Sequence, residues 1–164
     1  MNEMAPLAYS DAKIRGILQR VKTIAMVGAS SNWNRPSYFV MKYLQSKGFR
    51  VIPVNPGTAG QTLLGETIYA KLTDIPDPVD MVDVFRAADA LPGIVDEAIA
   101  IGAKVLWLQL GVVNDDARAM AEKAGLTVIM DRCVKIEHAR LFGGLGWFGV
   151  NTGVVSAQRQ IPPQ

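Results

Sequence analysis

The residues with the most chemistry in their spacing lie in one stretch, Gly28-Ala-Ser-Ser-Asn-Trp-Asn-Arg35-Pro-Ser37, which follows the apolar run Thr23 to Val27. An apolar run that breaks at a glycine, crosses small polar residues and meets a proline reads as a buried parallel strand, a ligand loop and a helix start. Such a loop lets backbone amides, here those of Gly28 and Ala29 onward, approach a ligand at a helix N-terminus, and phosphate is the ligand it suits. Ser30, Ser31 and Asn32 offer hydroxyls and an amide, Arg35 can pair bidentately with a phosphate, and the helix opening at Pro36 and Ser37 adds its dipole.

The remaining candidates are few. Phe85 and Arg86 are the exit of the apolar segment that begins at Val82, and residues at the carboxyl end of a central strand, a charge above all, enter the ligand crevice of a parallel sheet, so both are candidates. Cys133 is the only cysteine and His138 the only histidine, so no intrachain disulfide and no Cys/His metal cluster can form, and a Ser-His-Asp device would have to use His138. His138 sits between Glu137 and Arg140, a spacing that equally fits a solvated helix face with paired charges.

Two familiar phosphate devices are absent. The dinucleotide fingerprint wants three glycines and an acidic residue closing the second strand. This loop has one glycine of the three, and the second strand ends Val54-Asn55-Pro56, which argues against NAD. Nothing matches the glycine-lysine phosphate loop of nucleotide hydrolases.

The elements that would position these groups alternate along the chain. Ser10 and Asp11 start a helix carrying Ile14, Ile17, Leu18 and Val21 at helical spacing. Strands are expected at 23–28, 50–54, 79–85, 104–110 and 126–130. Between them run helices opening at Pro36 and closing at Gly48, at Pro92 and Gly102, and at Asn114 and Gly125, with a last helix from Asp131 to Leu141. The segment Thr58 to Gly65 reads as a surface loop, with a short element near Thr67 to Tyr69. Five strands alternating with helices imply an α/β, Rossmann-like doubly wound parallel sheet whose crevice lies beyond the carboxyl ends of the strands. Trp107 falls within a strand and is expected in the core, whereas Trp33 stands in the first loop, where it either covers the loop or packs on a base.

Composition agrees with one compact unit. A chain of 164 residues with 49% hydrophobic content can bury about two thirds of its unfolded surface, so a single domain over 1–164 is expected, with a core at about 12–142 and a glycine-rich tail at 143–164. Trp147 and Phe148 in that tail suggest a fold-back onto the sheet or an interface with a second copy or another protein. Seventeen basic against fifteen acidic residues give a net charge of +2, with no basic and aromatic run of the kind that binds nucleic acid. No apolar segment reaches the roughly 20 residues that cross a bilayer, and the N-terminus lacks a signal-peptide pattern, so a cytoplasmic location is expected.

Five motifs in order carry a family resemblance: Gly-Ala-Ser-Ser-Asn-x-x-Arg-Pro-Ser, Val-Ile-Pro-Val-Asn-Pro, Asp-Val-Phe-Arg, Leu-Trp-Leu-Gln-Leu-Gly and Met-Asp-Arg-Cys-Val-Lys-Ile-Glu-His-Ala-Arg-Leu. Together they resemble the small stand-alone CoA-binding domain proteins, and the chain is similar over about 12–142 to the N-terminal CoA-binding domain of the succinyl-CoA synthetase alpha subunit.

The resemblance implies a cofactor, coenzyme A, and places its parts. The CoA phosphates would fall to Gly28, Ala29, Ser30, Ser31, Asn32 and Arg35, the nucleotide flank to Asn55 and Pro56, and the pantetheine arm to Gln109, Leu110 and Gly111. Two departures stand out: the synthetase loop is richer in glycine, and it has a lysine soon after the second strand where this chain reads Gly57-Thr58. Arg35 and Arg86 are therefore the candidates for the 3'-phosphate. The phosphohistidine of the synthetase lies in a second domain that this sequence does not contain, so the resemblance implies a binding module, regulatory or carrier-like, holding CoA or a short acyl-CoA without catalysis of its own.

Two other readings remain open. One is a ligase-type enzyme working with a partner chain, for which Cys133 and His138 are the groups on offer. Cys133 near a helix N-terminus and Arg132 could form a mixed disulfide with the CoA thiol, or could simply be a small buried apolar residue. The other is a sensor of NAD or ADP on the same fold.

Overall fold

The computed structural model describes residues 8–143. Five parallel strands form the main sheet: β1 (Thr23–Val27), β2 (Arg50–Val54), β5 (Met81–Val84), β6 (Val105–Leu108) and β7 (Thr127–Ile129), in the order β2-β1-β5-β6-β7. Two short strands, β3 (Thr62–Leu63) and β4 (Glu66–Thr67), pair antiparallel between β2 and β5. The helices are α1 (Asp11–Arg20), α2 (Pro36–Ser46), α3 (Leu91–Ala100), α4 (Asp115–Lys123) and α5 (Val134–Phe142).

The strands read as unbroken apolar runs because both faces of the sheet are covered. On one face Ala25, Val27, Val82, Val84, Leu106 and Leu108 pack against Leu91, Val95 and Ala98 of α3 and Ala117 and Ala121 of α4. On the other, Ile24, Met26, Met81, Trp107 and Ile129 pack against α1, α2 and α5 through Ile14, Ile17, Met41, Leu44 and Val134. Trp107 is fully buried, as expected, and its indole N–H donates to the carbonyl of Arg132 at 2.9 Å.

Helix boundaries follow the capping chemistry. Ser10 Oγ accepts from Lys13 N at 3.0 Å, and Asn114 Oδ1 accepts from Ala117 N at 2.9 Å. The last helix differs from the expectation: it begins at Val134, not at Asp131. Asp131 has φ +62° and spends its carboxylate on Gly111 N at 2.8 Å, tying the β6 exit to the approach of α5 instead of capping a helix. Thr58 to Gly65 is also more ordered than a plain surface loop. It contains β3, its turn is held at Leu64 and Gly65 in the left-handed region, and Tyr69 then forms a parallel bridge with Val54. Trp147 and Phe148 lie outside the described residues.

Candidate functional site

In the order β2-β1-β5-β6-β7, consecutive strands part company between β1 and β5, the switch point where crossovers leave to opposite faces and open a crevice. A cleft of about 550 Å³ lies there, at the carboxyl ends of β2, β1 and β5. Gly28, Ala29, Ser30, Arg35, Pro36, Ser37, Asn55, Pro56, Phe85 and Arg86 line it, all of them singled out from the sequence. Ser31 and Asn32, in the same loop, are exposed and fall outside its wall.

The loop after β1 is organised differently from a simple cradle of amides. The N–H groups of Gly28 and Ala29 donate to the carbonyl of Val54 at 3.0 and 3.3 Å, so they brace the loop on β2 and are not free for a ligand. Ser30 N donates to Ser37 Oγ, Asn32 N to Ser30 Oγ and Asn34 N to Asn32 Oδ1, three bonds of 2.9 to 3.1 Å that make the loop self-supporting. Among the described residues the amides of Ser31, Trp33 and Ser37 have no partner. Ser37 is in the first turn of α2, and the residue before that helix, Arg35, gives no side-chain cap. The α2 N-terminus thus keeps an open donor and its positive dipole end at the cleft.

Asn55 joins the two loops. Its Nδ2 donates to the carbonyl of Ala29 and its Oδ1 accepts from Gly57 N, both at 2.8 Å. The side chain that stands where a ribose-binding carboxylate would be is therefore a clamp between the β1 and β2 exits. Gly28 completes the junction at φ +89°.

The charge at the cleft comes from two arginines. Arg35 and Arg86 are exposed, line the cleft, and have no ion-pair partner among the described residues, whereas Arg50 and Arg140 are each paired with two carboxylates. Guanidinium forks with vacant donors beside an uncapped helix start are suited to phosphate groups.

A second recess of about 420 Å³ adjoins the first, sharing Pro36, Phe85 and Arg86 with it. It takes in the predicted Gln109, Leu110 and Gly111 and adds Val40, Ala87, Val112 and Cys133. Cys133 is half-buried as the residue preceding α5. Gln109 is buried, and its Oε1 accepts from Val134 N at 3.3 Å, fixing the start of α5 over the β6 exit.

His138 is not on a solvated face. It is 8% exposed between α2 and α5, its Nδ1 2.9 Å from Tyr43 Oη, with Phe142 stacked at 4.8 Å and Phe49 edge-on at 5.6 Å. Burial, and then the nearby Lys47 charge, lower its pKa, and burial raises that of Tyr43 to about 12. Its partner in the sequence pattern, Glu137, pairs with Arg140 at 2.6 Å. His138 borders neither cavity.

Asp83 opens the Asp-Val-Phe-Arg motif, but nothing in the sequence pattern assigns it a role. It lies in β5 between Met26 and Trp107 on the neighbouring strands, is fully buried, and neither carboxylate oxygen has a hydrogen-bond partner. Burial holds its carboxyl well above the usual carboxylate range, which favours the protonated form. A carboxylate inside the apolar run Met81 to Val84 was the available signal.

Fold and cleft together define a doubly wound parallel α/β domain with a crevice at the carboxyl edge of its sheet. Within that class the chain belongs to the CoA-binding domain family, whose model, described as a CoA binding domain, matches residues 22–139. The chain is 44% identical over 130 residues to the uncharacterized protein YneT of Bacillus subtilis, covering 79% of this chain and 95% of that protein. It is also 41% identical to a hypothetical protein of Pyrococcus horikoshii of solved structure, with a TM-score of 0.80 over 87% of this chain and all of that one. An ADP-forming acetate–CoA ligase of Archaeoglobus fulgidus is 32% identical over 85 residues, which are 51% of this chain but 12% of the ligase. The likeness thus reaches a CoA ligase only through a small part of that enzyme.

Proposed function

We propose that this chain binds coenzyme A or a short acyl-CoA across the carboxyl edge of its sheet, as a regulatory or carrier module without catalysis of its own. The observation that carries the reading is the pair Arg35 and Arg86, unpaired among the described residues and placed in one cleft with the open N-terminus of α2. Arg35 and the free amide of Ser37 take the pyrophosphate, Arg86 or Arg35 takes the 3'-phosphate, and the pantetheine arm leaves past Phe85 toward Gln109, Leu110 and Gly111. Family membership supports the same ligand.

Such a module needs a ligand site and a rigid frame; of the groups that could serve catalysis only Cys133 lines the recess, as a free thiol. His138 is committed to Tyr43 away from the cleft, and Asp83 is sealed beneath the sheet surface. The test is calorimetric titration of protein refolded from denaturant, so that copurified ligand is removed, with CoA, 3'-dephospho-CoA, ADP and NAD. The reading requires low-micromolar binding of CoA, about −8 kcal/mol, that weakens without the 3'-phosphate. Binding of ADP or NAD in preference to CoA would replace it with a nucleotide sensor.

A further inference from the structure

We propose that the recess beside the cleft takes an uncharged aliphatic acyl group, so that the chain prefers a short acyl-CoA to free CoA. This rests on the CoA reading above and goes beyond it by naming the class of acyl group.

The recess has a mostly apolar floor, with Gln109 and Cys133 as its polar groups beside Arg86, and an open mouth. Val40 and Val112 are 4% and 8% exposed, whereas Ala87, Leu110 and Gly111 around them are exposed. A ligand anchored by its phosphates between Arg35 and Arg86 reaches this recess across the shared Phe85, so the far end of its pantetheine arm, where the thioester lies, meets apolar side chains.

Charge selects among acyl groups. Among the described residues Arg86 is the one cationic side chain lining the recess, and it stands on the boundary with the cleft, where the phosphates compete for it. The Asp131 carboxylate, which accepts from Gly111 N, lies at the mouth. A second carboxylate on the acyl group, as in a dicarboxylic thioester, would be desolvated against valines and repelled by Asp131. A saturated chain instead gains about fourfold in affinity for each methylene taken out of water.

The experiment is titration of the full chain with CoA, butyryl-CoA and succinyl-CoA, each also against Ala87→Asp, a substitution at an exposed position that puts a charge in the recess wall. The expected result is butyryl-CoA binding at least tenfold tighter than CoA, succinyl-CoA no tighter than CoA, and a butyryl-to-CoA ratio below three in Ala87→Asp. A ratio below three in the unsubstituted chain, a preference for succinyl-CoA, or a ratio that Ala87→Asp leaves intact overturns the acyl assignment while CoA binding stands. Failure of all three ligands to bind overturns the CoA reading itself.

Discussion

Gly28 leaves β1 directly against the carbonyl of Phe85: a Cβ placed on Gly28 would lie 2.8 Å from that oxygen and 3.1 Å from Arg86 Cδ. The exit of β1 and the exit of β5 are thus in contact at the floor of the cleft, and the position of Arg86 depends on the absence of one methyl group.

Gly28→Ala should therefore cost more than the left-handed backbone alone explains. Gly60 has a similar φ of +92° with open space around it, so Gly60→Ala isolates the backbone term, about 1–2 kcal/mol. Urea denaturation of the two variants should show Gly28→Ala as the less stable, by at least a further 1 kcal/mol from the displaced β5 exit. Equal losses would mean that the contact is slack.

Arg35→Ala and Arg86→Ala should each weaken CoA by about 10- to 100-fold, the range for a charged hydrogen bond to phosphate. The variant whose loss shrinks when 3'-dephospho-CoA replaces CoA marks the 3'-phosphate partner. Both effects should diminish as salt is raised, because the arginines are exposed.

Asp83 should make the protein less stable as pH rises. Its folded pKa lies above the unfolded value of about 3.9, so the folded state holds the extra proton. The contribution is complete below that unfolded value and is lost as pH climbs toward the folded pKa. Urea midpoints across this window should show the Asp83→Asn variant without the slope, and Asp83→Leu should be the more stable near neutral pH by about 1–3 kcal/mol. An unchanged slope in Asp83→Asn would mean that the carboxyl is charged and has found a partner.

His138 acts with the opposite sign. Its folded pKa is lowered, so the stability it contributes is present above about 6.5 and is lost as pH falls from there toward the folded value. His138→Gln should remove this acid loss, and Tyr43→Phe, which leaves Nδ1 without its hydroxyl, should cost about 1–2 kcal/mol. Denaturation at pH 5 and pH 7 measures both.

Much of this architecture was legible in the residues, for identifiable reasons. Buried parallel strands must be continuous apolar runs, and Ser10, Asn114 and Gly48 mark helix ends through local chemistry, so the alternation and the cleft loops could be read directly. Interactions between distant segments could not. Gly28 and Ala29 bond to Val54, Asn55 reaches back to Ala29, and Asp131 is drawn to Gly111, each a pairing that only the folded sheet creates. The same holds for His138, whose charged sequence neighbours suggested solvent while α2 in fact covers it.

The most direct measurement is calorimetric titration of CoA into the refolded chain beside the double substitution Arg35→Ala/Arg86→Ala, with circular dichroism to show that both are folded. The account predicts one low-micromolar site in the unsubstituted chain, weakened at least 100-fold in the double variant. CoA that fails to bind, or binds equally well when both arginines are gone, would contradict it.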